Sequence, residues 1–115
     1  MYQYVAKLHR VVDGDTLDLN VDLGFTVSVL VRFRLASINA PEMIGSSHDA
    51  GKAAKAGLEA LLALASKGMI YVESTGKDKY GRWVAKLTFV STAGGAVVDV
   101  SQALVTEGFA VLHAY

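Results

Sequence analysis

The apolar positions of this chain change period along its length, and the changes mark out its elements. Tyr2, Tyr4, Ala6 and Leu8 alternate with Gln3, Val5, Lys7 and His9, a weak period of two. Leu17, Leu19, Val21 and Leu23 alternate cleanly with Asp18, Asn20 and Asp22, which predicts a strand with one dry and one wet face. Asp13-Gly14-Asp15 between them has the composition of a tight turn. Gly24 breaks the pattern, and residues 25–35 are mostly β-branched or aromatic. They predict a third strand, with Arg32 and Arg34 on one face and Phe33 and Leu35 on the other.

Ala54, Leu58, Leu61, Leu62 and Ala65 then fall at helical spacing, with Lys52, Lys55 and Glu59 off the stripe. Ser47 or Asp49 would cap this helix and Gly68 would end it. Residues 69–73 predict a fourth strand, and residues 82–90 a fifth, with Trp83, Ala85, Leu87 and Phe89 on one face. Gly76 to Gly81 is the polar loop between them, and Thr92 to Gly95 is a turn. Asp99 with Gln102 three residues on resembles a capping box for a short helix closed by Gly108. Three strands, a helix, two strands and a helix make a mainly β domain. This is the order of a five-stranded OB barrel with a helix between strands three and four and a short C-terminal helix.

The 115 residues fit one domain, 1–115, and a 52% hydrophobic content suffices for a core without staples. There is no cysteine, which excludes disulfides and thiolate metal sites. Basic and acidic residues balance at 11 each, so a broad sequence-independent coat of nucleic acid is not expected, although a local phosphate site is compatible. The first residues lack the apolar core of a signal peptide and no run reaches a membrane span, so the expectation is a cytoplasmic protein with no membrane partner.

The polar chemistry is concentrated in three islands: Asp13-Gly14-Asp15-Thr16, Arg34 through Asn39-Ala40-Pro41-Glu42, and Asp78-Lys79-Tyr80-Gly81-Arg82. Carboxylates suit a hard cation, and the planar fork of arginine suits phosphate oxygens. Hydrolysis of a phosphodiester needs a neutralised transition state and a water helped to lose its proton, and Asp15, Glu42, Arg34 and Arg82 form a set able to do both. Taken singly, each has a structural reading. Asp15 would brace its turn, Arg34 would be a barrel-surface charge, Arg82 would close a hairpin, and Pro41-Glu42 would be a plain loop. His9, His48 and His113 are too scattered for a metal triad, and Trp83, Phe33 and Phe89 read as core. Tyr80, in a polar loop, is placed to stack on a base.

In this order and spacing, the islands, with the softer Ala103-Leu104-Val105 and Gly108-Phe109-Ala110, resemble the staphylococcal nuclease family over nearly the whole chain. The resemblance implies a Ca²⁺-dependent phosphodiesterase acting on DNA and RNA from an OB barrel. By position it implies that Asp15, Asn39 and the Ala40 carbonyl hold the metal and that Glu42 positions and deprotonates the attacking water. Arg34 and Arg82 would clamp the scissile phosphate, and Lys79 and Tyr80 would touch a neighbouring phosphate or base. The alternative is a weak or inactive module that binds nucleic acid or protein. Degenerate members usually lose the arginines and the glutamate, so their retention favours the enzyme.

Two departures stand out. Asn39 falls where the family usually has an aspartate, and a neutral amide predicts a weak metal site. The best-known members also continue into a further helix, whereas this sequence stops at Tyr115. An uncovered apolar face would favour a homodimer, unless residues 109–115 fold back over it themselves.

Overall fold

The computed structural model describes residues 2–40 and 48–112. Strands β1 (Tyr2–Asp13), β2 (Thr16–Gly24) and β3 (Val27–Leu35) form the meander. A two-residue β4 (Ile38–Asn39) follows, then α1 (His48–Leu62), β5 (Ile70–Lys77), β6 (Trp83–Val90), β7 (Val97–Asp99), α2 (Val100–Thr106) and β8 (Val111–Leu112). The sheet order is β3-β2-β1-β5-β6-β7. A parallel seam between β3 and β6, Phe33↔Trp83 to Leu35↔Ala85, closes five strands into a barrel.

Alternation explains the filling. Leu17, Leu19, Phe33, Leu35, Val72, Ala85, Leu87 and Phe89 point inward and are buried. The weak period of β1 has a physical cause. A register shift between Leu8 and Arg10 is a bulge, and it changes the inward position from Ala6 to Val11, leaving Leu8 half exposed. Leu58, Leu61 and Leu62 of α1, and Val100 and Leu104 of α2, complete the core.

Several sequence expectations are corrected. The first helix ends at Leu62, and a short 3-10 turn at Ser66–Gly68 separates it from β5. Ala65 therefore belongs to an isolated bridge with Ser91, and Gly68 closes the turn instead of the helix. Ser47 lies outside the described residues. The capping box is half formed: Asp99 accepts from the Gln102 N–H, but the Gln102 side chain donates to Thr106. Leu23 is exposed at the end of its predicted dry face, and Trp83, expected in the core, is 42% exposed beneath the Lys77 ammonium. The tail through Leu112 folds back: Val111–Leu112 pairs with Ile38–Asn39, and Phe109 fills the space that the missing side chain of Gly57 leaves. This is the arrangement that removes the reason to expect a homodimer on that face.

Candidate active site

The first island is a hairpin turn between β1 and β2, closed by the pair Asp13↔Thr16. Its glycine is needed for close approach. A Cβ on Gly14 would lie 2.6 Å from that of Ala54 in α1 and 2.8 Å from that of Ala40. The turn is thereby wedged against the helix, and Asp15 is carried into the protein, 6% exposed.

Asp15 organises what lies around it. Its Oδ2 receives Nη1 of Arg34 at 2.7 Å and the N–H of Ala40 at 2.9 Å. Its Oδ1 accepts from the Thr16 hydroxyl at 3.1 Å. Arg34, itself 5% exposed, donates from Nη2 to the Ile38 carbonyl at 3.3 Å and to Asn39 Oδ1 at 3.2 Å. Arg34 is thus a buried guanidinium held between the β1–β2 turn and β4, so the purely structural alternative, a barrel-surface charge, is corrected.

Asp13 is the residue that sequence reasoning treated only as a turn former. Burial, together with the hydrogen bond and the charge of Asp15, pushes its carboxyl up to about 6. Burial acts on Asp15 in the same direction, but the bond with Asp13, the Ala40 N–H and Arg34 outweigh it and hold that carboxyl below the usual range. Two neighbouring carboxylates, one pushed up first by burial and then by the other, are a pair that a hard cation would relieve. The Asn39 amide oxygen accepts from the same Arg34, and the Ala40 N–H donates to Asp15, so both residues border the pair. Asp13 was legible as a second carboxylate two residues from Asp15. Among the described residues there is no cluster of three or more acidic, histidine or cysteine side chains. Glu42 lies outside the described residues.

The third island is a tight loop built on Asp78. Its carboxylate accepts the N–H groups of Tyr80 at 2.9 Å and Arg82 at 3.0 Å, and pairs with Nε of Arg82 at 2.7 Å. Burial raises the Asp78 carboxyl, but these N–H groups and the guanidinium prevail and lower it. Arg82 precedes β6 by one residue and Val84 by two, and Val84 is the partner of Arg34 across the seam. Both arginines therefore flank the β3–β6 closure. Tyr80, 70% exposed, has Lys79 Nζ and Arg82 Cζ each 5.2 Å from its ring centre.

A third arginine–aspartate pair continues the same face. Nε of Arg32 lies 2.8 Å from Asp18 Oδ1, and Nε of Arg10 lies 3.6 Å from Asp18 Oδ2. The sequence placed Arg32 beside Arg34 but did not foresee Asp18 as its anchor.

A family model described as staphylococcal nuclease homologue matches residues 32–115, which takes in the second and third islands and leaves the first, with Asp15, before it. No curated protein matches the chain.

Proposed function

The chain belongs to the staphylococcal nuclease homologue family, and from that premise we propose that it is a Ca²⁺-dependent nuclease hydrolysing phosphodiester bonds of DNA or RNA. The observation that carries the reading is the delivery of Arg34 and Arg82 to the two sides of one barrel seam, each fixed by its own aspartate at 2.7 Å. Guanidinium groups held in advance lose little freedom when they bind a phosphate.

In this reading Asp13, Asp15, Asn39 and the Ala40 carbonyl hold the cation, which supplies positive charge to the phosphoryl oxygens when bound. Arg34 and Arg82 hold the oxygens of the scissile phosphate and stabilise the charge that grows on them. Glu42 takes a proton from the water as its oxygen bonds to phosphorus, and the bond to the leaving oxygen breaks. Lys79 and Tyr80, on the exposed loop, meet the neighbouring phosphate or base.

The second reading is a module that binds nucleic acid or protein without cutting. It is favoured by Asn39, whose oxygen is neutral and already accepts from Arg34. The deciding assay incubates single-stranded DNA with the protein in Ca²⁺ and in chelator, and repeats it with Glu42→Gln and Arg82→Ala. Metal-dependent cleavage that both variants lose is the expected result. Binding without cleavage by the unaltered protein sinks the nuclease reading and leaves the module.

A further inference from the structure

The Arg10–Asp18–Arg32 cluster lies on the outer face of the first three strands, and nothing in the chemistry above uses it. Asp18 faces Arg32 across β2–β3 and Arg10 across β1–β2. Arg32 already contacts the carboxylate with two nitrogens, Nε at 2.8 Å and Nη2 at 3.2 Å. One arginine suffices to neutralise one carboxylate. The second, Arg10, stands off at 3.6 Å, and Asp13 also acts on Arg32, so the two guanidinium groups are the exposed members of a mixed-charge cluster. Both arginine side chains are more than half exposed, 61% and 58%, while Asp18 beneath them is 11% exposed. The arrangement is a carboxylate base with two guanidinium groups presented to solvent.

Its position gives it a partner. Arg32 and Arg34 are two residues apart on one face of β3, a separation of about 7 Å along the strand. That is the order of the step between successive phosphates in an extended single strand. Arg32 shares its face of β3 with the buried Arg34 at the proposed phosphate site, and unlike Arg34 it is open to solvent. We propose that Arg32 and Arg10, braced by Asp18, hold the phosphate that follows the scissile one in a single-stranded nucleic acid. The strand then runs from the β3–β6 seam outward across β3, β2 and β1. Asp18 is the positioning residue and the arginines make the contact. The inference rests on the phosphodiester reading for the identity of the first phosphate, but its own test does not need cleavage.

The experiment follows binding of a fluorescently labelled oligothymidylate by anisotropy, in chelator, over a range of salt concentrations. Each contact with a phosphate of single-stranded nucleic acid contributes about 0.7 to the slope of log affinity against log salt. Arg32→Gln and Arg10→Gln are each expected to lower the slope by about 0.7, with binding weakened roughly eightfold near 0.05 M salt and little near 1 M. Arg10→Gln keeps the short Arg32–Asp18 bonds, so it remains informative if Arg32→Gln disturbs the fold. Lys86→Gln, which removes a charge paired instead with Asp99, is the control and should keep the original slope. A lowered slope without any cleavage supports the strand contact while refuting the nuclease reading. Cleavage by the unaltered protein with unchanged slopes in both arginine variants overturns the contact and leaves the nuclease. An equal loss in Lys86→Gln overturns it as a mere effect of net charge. Failure of the unaltered protein to bind the oligonucleotide, or displacement by polyglutamate at equal charge, overturns it as well.

Discussion

Nη1 of Arg34 lies 2.7 Å from Oδ2 of Asp15, and both side chains are closed off from solvent. The pair joins the β1–β2 turn to the end of β3, with the Ala40 N–H on the same oxygen. A buried ion pair is weak evidence of net stabilisation, but removing one member alone is costly. Asp15→Asn should therefore cost about 3 kcal/mol in urea unfolding, because the Arg34 charge loses its nearest counter-charge. The double variant Asp15→Asn with Arg34→Met should regain a good part of that loss while remaining inactive. A single-variant loss that the double change deepens would show that the two residues do not act as a pair.

The Asp13–Asp15 couple sets a dependence on pH. Asp13 is pushed up to about 6, so between the ordinary carboxylate value and about 6 the native state keeps a proton that the unfolded chain has released. Stability from this group is present below that window and is lost as pH rises through about 6. Asp13 is half buried, and after allowance for screening the change amounts to about 1 kcal/mol. Asp15, held low, acts in the opposite sense, and its contribution disappears in stronger acid. Urea midpoints measured across the range should decline from acid toward neutrality in the unaltered protein and flatten in Asp13→Asn. The same proton competes with a cation, so Ca²⁺ affinity should weaken as pH falls through about 6.

Asp78 tests whether Arg82 works because it is held. The carboxylate closes the loop through two N–H groups and fixes Nε of the arginine. Asp78→Asn keeps the size of the side chain but loses the charge opposite Arg82. A guanidinium displaced by a fraction of its length should lower kcat by about tenfold or more. The Asp78 side chain is only 9% exposed, but an asparagine oxygen can still accept both N–H groups, so thermal stability should move little. A fall in melting temperature that tracks the fall in kcat would assign Asp78 to the fold alone.

The strand alternation in residues 17–21 and the helical stripe at Ala54, Leu58, Leu61 and Leu62 were legible because each apolar position enters one core. The end of α1 was not legible, since Ala65 continues the stripe in spacing but is buried by its bridge to Ser91. The exposure of Trp83 was hidden for a similar reason. It keeps the inward phase of β6, yet it sits at the start of the strand, where the barrel is open and Lys77 covers the ring. In the site, residue types and order were readable, but burial was not. Arg34 and Arg32 look alike in sequence, and only the packing of Gly14 on Ala54 and Ala40 shows why Asp15 and Arg34 go inside while Arg32 stays out.

Asn39 carries the last prediction, because the fold gives it two duties. Its backbone pairs with Val111, and its amide oxygen accepts from Arg34 at 3.2 Å. Asn39→Asp places an anionic oxygen on the same guanidinium that holds the Asp15 carboxylate. Charge count is a lever on calcium affinity, so the Ca²⁺ concentration for half-maximal cleavage should fall by about tenfold. The Arg34 contact becomes an ion pair at the same time, so the variant should be no less stable than the parent in chelator. A lower calcium requirement with unchanged stability in chelator would place the new charge on the cation. A gain in stability with the calcium requirement unmoved would mean that position 39 serves the arginine, and that the metal is held by Asp13 and Asp15 without it.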